Sequence, residues 1–249
     1  METLPGQLWE RIIDGFTRGA PPAVGISGLV AIVLVAVVLA VPRRSWRFFG
    51  LFVTVVHELG HAAAALLTLQ RVTGITLRLD HSGTTTSLGR HGWRSAFTTF
   101  WGYPVPAVVG AVLVRSAAYG WASAALSVGA LVLVAALVLI RNLQGVLILG
   151  TSAVVSLSLV WFGGAAWAGY ACLVLGLALL VGSCRDWSRV VRVHARRRDL
   201  ASSDAYLLRG TTRVPSAVWL GMFALVIGAG LALSVGPLAL IAGIDAGVR

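Results

Sequence analysis

The chain has 249 residues, of which 57% are hydrophobic and only 12% are charged, and its mean hydropathy is +0.87. A soluble domain of this size would have about a quarter of its residues charged, so the composition excludes an ordinary soluble domain and indicates a membrane protein. The formal net charge of +11 does not indicate nucleic-acid binding, because the arginines lie between apolar segments. Membrane topology and anionic lipid headgroups favour arginine at such positions.

Two regions are predicted along the chain. Residues 1–22 form an N-terminal segment, with an amphipathic helix expected over residues 4–16 on the membrane surface. Residues 23–249 form a single transmembrane domain with seven apolar segments of about the length that spans a bilayer. These segments cover residues 24–41, 48–69, 96–114, 122–140, 143–161, 165–182 and 217–241. The expected fold is therefore an all-α polytopic membrane protein of about seven transmembrane helices.

The connection after the second apolar segment has the pattern of a small β-hairpin. Residues 72–79 alternate partly between apolar and polar side chains and are rich in β-branched residues, and Asp80-His81-Ser82-Gly83 is a turn signal. Thr84, Thr85 and Thr86 can then return as a second strand. We expect a membrane-associated hairpin over about residues 71–88, and the alternative is an irregular loop.

The distribution of arginine predicts the orientation in the membrane. With seven spans, fifteen of the twenty arginines fall on one side, and eight of these lie in a basic loop over about residues 184–215. Positive residues favour the cytoplasmic side. The expected protein is a multi-pass protein of the plasma (inner) membrane with a cytoplasmic N-terminus.

The second apolar segment contains the chemistry. His57, Glu58 and His61 form the pattern H-E-x-x-H, which places both imidazoles on one face of a helix. Two such imidazoles can bind one zinc ion, and the glutamate can act as a general base toward water at the metal. Between Phe48 and Gln70 these three are the only ionisable side chains. A carboxylate at this depth costs roughly 3 kcal/mol or more, so a metal site is favoured over packed polar residues or a degenerate site.

The motif and the residues after it resemble a known family. HELGHAAAALLTLQRVTGITLRLDHSGTTTS and the later FWGYPVPAVVGA resemble the site-2 protease family of intramembrane zinc metallopeptidases, in particular the short B-like branch of peptidase family M50. RNLQG, CRDW and SSDAYLL extend the similarity, which covers most of residues 50–210. The resemblance implies a transmembrane H-E-x-x-H helix, a following β-hairpin, a helix interrupted by glycine and proline, and peptide-bond hydrolysis within or beside the membrane.

Two histidines need at least one more protein ligand. The better-known members of the resembled family use an aspartate in an L-D-G motif, which is absent after the motif helix here. Asp186 is the first candidate, because it directly follows the sixth apolar segment, and Asp204 is the second, although it could instead cap a short helix. Asp80 and His81 are expected in the turn for backbone reasons alone. Asn142 could donate a hydrogen bond to an oxyanion or simply end a helix.

The third apolar segment is interrupted at Gly102-Tyr103-Pro104-Val105-Pro106. Each proline removes a backbone donor, so the interruption predicts either carbonyls that face a water-lined cavity beside the metal or an ordinary proline kink. The basic stretch over residues 190–198 predicts a topology determinant along the anionic leaflet, with His194 exposed in a loop and without a role.

The predicted function is therefore an intramembrane zinc metalloprotease that hydrolyses peptide bonds of transmembrane or membrane-associated protein substrates. Zn²⁺ would be held by His57, His61 and Asp186, and Glu58 would be the general base. An extended substrate could pair with the hairpin, in which case proline at Ile75 or Leu77 would abolish cleavage. Which residues bind the substrate side chains is unknown. The alternative is a non-proteolytic zinc-binding membrane scaffold or a metal-handling permease.

Overall fold

The computed structural model describes residues 15–89 and 92–244. This part of the chain is mainly helical, with one two-stranded sheet and two short 3₁₀ turns at Leu137–Leu139 and Leu200–Ser202. The elements in chain order are α1 (Gly25–Ala40), α2 (Arg43–Leu67), β1 (Arg71–Leu77), β2 (Gly83–Leu88), α3 (Trp93–Phe100), α4 (Pro104–Ala118), α5 (Ala122–Ala136), α6 (Leu143–Arg196), α7 (Asp204–Thr212) and α8 (Ser216–Ile241). Most of the amphipathic helix expected over residues 4–16 lies outside the described residues.

Four helical stretches are long and apolar enough to cross a membrane. They are Arg43–Leu67, Ala122–Leu139, Trp167–Arg196 and Ser216–Ile241, and α3 with α4 makes a fifth if this bent pair counts as one span. The apolar helices Gly25–Ala40 and Leu143–Leu159 are shorter. Integral membrane character is thus supported, whereas the predicted seven spans are not confirmed.

The fifth and sixth predicted segments lie in one helix. α6 runs for 54 residues and includes residues 162–164, which separate the fifth predicted segment from the sixth. A straight helix of this length is about 81 Å long, roughly twice the thickness of a bilayer with its headgroups. The last turns of α6 also contain residues 184–196, the first part of the stretch expected to be a basic loop, so this stretch is helical as far as Arg196.

The large apolar side chains divide into an inner and an outer set. The main core joins α1, α2, α4, α5, α6 and α8 around residues such as Val53, Leu173 and Leu179. Other residues of the same helices, among them Leu34 and Leu225, are more than half exposed. Outward-facing leucine is stable in hydrocarbon, so this division agrees with a membrane environment.

The predicted hairpin is confirmed. β1 and β2 pair antiparallel from Arg71 opposite Leu88 to Leu77 opposite Gly83, with an irregularity near Gly74. The turn is stabilised by Asp80, whose carboxylate accepts hydrogen bonds from the backbone N–H and the hydroxyl of Ser82. A local pattern of β-branched residues and turn formers was sufficient for this prediction because the hairpin pairs residues that are close in sequence.

The outer edge of β1 is occupied by the segment before α6. The backbone N–H of Arg141 donates to the carbonyl of Ile75, and the side-chain amide of Asn142 bonds both the N–H and the carbonyl of Leu77. Ile75 and Leu77 therefore turn their backbone groups away from β2. This edge of β1 is therefore already paired, and strand addition of a substrate to the hairpin stays a prediction that applies to the other edge, that of β2.

Candidate metal centre

One turn of α2 and the first residue of α7 bring three ligand atoms together. The Nε2 atoms of His57 and His61 are 3.1 Å apart, and Oδ2 of Asp204 lies 3.3 Å from each of them. Zinc bonds of about 2.0–2.1 Å in a tetrahedral shell place neighbouring ligand atoms roughly 3.3 Å apart. The triangle therefore has the dimensions of three corners of a tetrahedral metal site, and its fourth position is left for water or substrate.

His61 is oriented by a hydrogen bond from its other ring nitrogen. Nδ1 donates to the carbonyl of Thr98 at 2.8 Å, since a carbonyl can only accept. This tautomer leaves the lone pair of Nε2 directed at Asp204 and His57. In many metal sites a hydrogen bond from the other ring nitrogen of a ligating histidine fixes the orientation of the ring and its basicity.

Polar groups further out hold Thr98 itself. The buried amide of Gln70 donates to the hydroxyl of Thr98 at 2.7 Å, and that hydroxyl donates to the carbonyl of Arg94. The network connects the end of α2 with α3. It stabilises the carbonyl that orients His61.

The interruption between α3 and α4 lies directly against the imidazoles. A Cβ atom on Gly102 would be 2.5 Å from Nε2 of His61 and 2.7 Å from Nε2 of His57, so only glycine fits there. Tyr103 packs edge-on against His57, with ring centroids 4.9 Å apart. Pro104 is at the start of α4, where its missing N–H costs no helical bond. The two helices meet at a bend of 55°, so the interruption is a close approach of backbone to the site and not a simple kink.

The hairpin contacts the site from the other side, through Glu58. The hydroxyl of Thr85 donates to Oε2 of Glu58 at 2.7 Å and also contacts the carbonyl of Glu58 at 3.1 Å. A Cβ atom on Gly83 would lie 2.5 Å from Oε1 of the same carboxylate. Glu58 is buried, with 4% of its surface exposed, and the strand β2 fixes where its carboxylate points.

Asp204 is placed by α7. It is the first residue of that helix, where the helix dipole favours a negative charge. Its Oδ2 is buried and accepts no hydrogen bond of good geometry within the described ranges. Burial acts to raise the pKa of this carboxyl, but the adjacent His61 and His57 together outweigh burial and hold the pKa below the usual range. The carboxyl is therefore ionised at neutral pH, which is the form that binds a cation.

Of the two aspartates proposed from sequence, the structure places the second with the histidines. His57, His61 and Asp204 form a group whose ligand atoms lie within 4.8 Å of one another, as judged over the described residues. Asp186 instead lines an adjoining cavity of about 370 Å³ together with His57 and Glu58. Asp186 projects from the side of α6. The carboxylate that reaches the imidazoles, that of Asp204, follows the turn after this helix.

The other candidates have structural roles. Asp80 accepts hydrogen bonds from Ser82 in the turn, and Nε2 of His81 lies 3.3 Å from the carbonyl of Trp46. Asn142 is occupied by the backbone of Leu77. None of these three belongs to the group of converging ligand atoms in the described part of the chain.

A second cavity connects the site with the hairpin. It has a volume of about 700 Å³, and His57, Glu58, His61 and Asp204 lie at one wall while residues 82–87 form another. The space is polar and adjoins both the candidate ligands and the base. An extended peptide and a water molecule could both reach the site through it.

The family model for Peptidase M50B-like proteins matches residues 29–234 of this chain. The chain belongs to the Peptidase M50B-like family. The match includes the three converging ligand residues, Glu58, the hairpin and α7. Comparison with curated proteins and with solved structures gave no match.

The residues that sequence reasoning missed in this M50B-like chain are those that support the ligands. Gln70 and Thr98 are ordinary polar residues near the ends of apolar segments, Thr85 is a strand residue of the hairpin, and each has its partner in a different element. Gly102 was noted only as part of an interruption. The one available signal was its position in the glycine- and proline-containing interruption of the third apolar segment.

Proposed function

We propose that this M50B-like protein is an intramembrane zinc metalloprotease whose ion is held by His57, His61 and Asp204. The observation that carries the proposal is the 3.1–3.3 Å triangle of ligand atoms, in which both imidazoles and the neighbouring buried glutamate belong to a helix long and apolar enough to span a membrane. Imidazole nitrogen and carboxylate oxygen are ligands that zinc prefers. Family membership supports a membrane metallopeptidase.

The roles of the residues follow from their positions. A bound zinc ion would supply a Lewis acid that polarises the substrate carbonyl and lowers the pKa of water toward about 7. Glu58 would take the proton of the attacking water and deliver it to the leaving amine. Thr85 would hold the Glu58 carboxylate in the direction that this transfer needs, and Thr98 would hold His61.

We place the substrate along β2. Ile75 and Leu77 direct their backbone groups toward residues 141 and 142. The alternate residues of β1, Gly74 and Thr76, therefore pair with Thr86 and Thr84 of β2. By alternation, the N–H and carbonyl groups of Thr85 and Ser87 point out of the sheet, and both residues line the cavity at the site. An extended segment of a transmembrane or membrane-associated protein could add as a third strand there.

The strand-addition step has its own test. Ser87→Pro removes an outward N–H at an edge where proline is otherwise tolerated. We expect cleavage to fall strongly while the zinc content is unchanged. Cleavage at the wild-type rate would mean that the substrate does not use this edge.

The membrane environment is also part of the proposal. We place the protein in the plasma (inner) membrane, surrounded by lipid, with a cytoplasmic N-terminus and with the apolar segments 25–40 and 143–159 completing a seven-segment bundle. The arginine distribution supports this orientation. Reporter fusions at both termini test it, and an N-terminal reporter active only outside the cytoplasm would reverse it.

The decisive experiment separates a protease from a zinc-binding scaffold or permease. The full-length protein in lipid nanodiscs is assayed for zinc by elemental analysis and for cleavage of a pool of synthetic membrane-spanning peptides. We expect one zinc per chain in wild type and in Glu58→Gln, cleavage in wild type only, and neither in His61→Ala. Equal cleavage by wild type and Glu58→Gln would refute the proposed mechanism, and a zinc-loaded wild type without peptidase activity would favour the scaffold.

A further inference from the structure

Ser203, the residue before Asp204, uses its hydroxyl for a hydrogen bond outside α7 and not to cap that helix. Ser203 precedes α7, is 2% exposed, and its backbone carbonyl accepts the first helical bonds from Tyr206 and Leu207. Serine at this position normally uses its hydroxyl to cap the helix, which stabilises it by about 1 kcal/mol. No side-chain hydrogen bond caps α7. The hydroxyl of Ser203 instead lies 2.8 Å from Nε2 of His194.

This contact corrects the expectation for His194. The residue is not in an exposed loop but in the last turns of α6, where it is partly buried. Its bond to Ser203 closes a turn with eight residues between the two partners, and in this turn Arg197 and Asp199 both have positive φ, of 51° and 55°. Such conformations cost of order 1–3 kcal/mol each in residues other than glycine and persist only where the surroundings impose them.

Apolar packing fixes the body of α7 but not the direction of its first side chain. Ala205 and Leu208 are fully buried against Val190 and Phe223. The hydrophobic effect that holds them is non-directional. A metal ligand must be placed within a few tenths of an ångström, and the hydrogen bond at Ser203, one residue from Asp204, is directional.

We propose that His194 and Ser203 are positioning residues for Asp204: their hydrogen bond fixes the start of α7 relative to α6 and so sets the distance of the third ligand from the two imidazoles. The inference rests on the proposed metal site but not on proteolysis. In this proposal α6 helps to position the third ligand through His194, although none of the three proposed ligands belongs to α6. The affinity for zinc, and not only the stability of the fold, then depends on this pair.

The experiment measures the zinc dissociation constant of full-length protein in nanodiscs by competition with a chelator, together with the melting temperature. Ser203→Ala and His194→Ala should each weaken zinc binding about tenfold, at the lower end of effects for residues that orient ligands. The double variant should be no weaker than either single one, because both remove the same bond. His194→Gln, whose amide can still bond the hydroxyl, should bind zinc as wild type does.

Thr211→Val is the matched control, since it removes a hydroxyl from α7 whose hydrogen bond, among the residues described, stays within that helix, at the carbonyl of Leu207. It should leave the dissociation constant unchanged. Any of three results would overturn the proposal: zinc affinity within twofold of wild type in both single variants despite lower melting temperatures, additive losses in the double variant, or no recovery in His194→Gln. A wild-type protein that binds no zinc would instead refute the proposed function, and this inference with it.

Discussion

The hairpin and α7 reach the same turn of α2 from opposite sides, and they differ in what they contribute. The hairpin follows α2 directly and contacts the base, since Thr85 and Gly83 pack on the Glu58 carboxylate. α7 begins 143 residues after His61 and supplies Asp204 to the ligand triangle. In the proposed mechanism the base and the metal would thus be held by separate elements, so we expect that one function can be lost while the other is kept.

The largest effect should come from removing the carboxylate on the α7 side. Asp204→Ala should lower zinc affinity by more than about 100-fold, beyond the range for residues that only orient ligands, and should abolish cleavage. Asp186→Ala is the comparison, because this residue lines the adjoining cavity without joining the triangle. Chelator competition measures both variants, and the opposite ranking would establish Asp186 as the third ligand.

A second prediction concerns Gly102, in the connection between α3 and α4, where the backbone lies against the rings of the two histidines. Gly102→Ala introduces a methyl group 2.5 Å from the His61 ring, so we expect an overpacking cost of about 1–3 kcal/mol and a clear loss of zinc affinity. Gly129→Ala is the control, since nothing lies within 4 Å of a Cβ atom at that position. Thermal unfolding and zinc titration distinguish the two; equal behaviour would show that the close approach is not required.

On the hairpin side the expected effect is smaller and limited to catalysis. Thr85→Val removes the hydroxyl that donates to Glu58, a bond to a charged group worth roughly 1.5–3 kcal/mol, which corresponds to a loss of about 10–150-fold in kcat/KM. Zinc affinity should stay at the wild-type value. Thr73→Val removes a hydroxyl whose bonds, in the described part of the chain, go to Thr86 of the same hairpin, and this variant should cleave normally. A loss of zinc in Thr85→Val would disprove the separation of the two sides.

The smallest effect is expected where the hairpin is anchored to the segment before α6. Asn142→Ala removes two hydrogen bonds to Leu77, each worth about 1 kcal/mol. Amide hydrogen exchange at Leu77 should accelerate, and cleavage should fall less than in Thr85→Val. Unchanged exchange at Leu77 would show that the hairpin is held by its packing alone.

Local patterns were enough for the elements whose partners are close in sequence. The spacing of His57 and His61 on one helical face, the hairpin and its turn at Asp80, and the break at residues 102–106 could all be read directly. The continuity of α6 could not, because apolar composition is the same for one long helix and for two shorter ones. The lower number of candidate spans has another cause: the apolar helices Gly25–Ala40 and Leu143–Leu159 are shorter than the other spans, so four or five candidates are found and the predicted seven are not confirmed.

The amino-acid sequence by itself determined that the protein belongs in a membrane and that one helix turn there carries two imidazoles and a carboxylate, since composition and helical period are local properties. Only the tertiary structure decided that Asp204 and not Asp186 meets the imidazoles, that Gly102 must lack a side chain, and that Asn142 binds β1. Each of these depends on distances between atoms far apart along the chain, and those distances are set by how the helices pack and by the turn between α6 and α7.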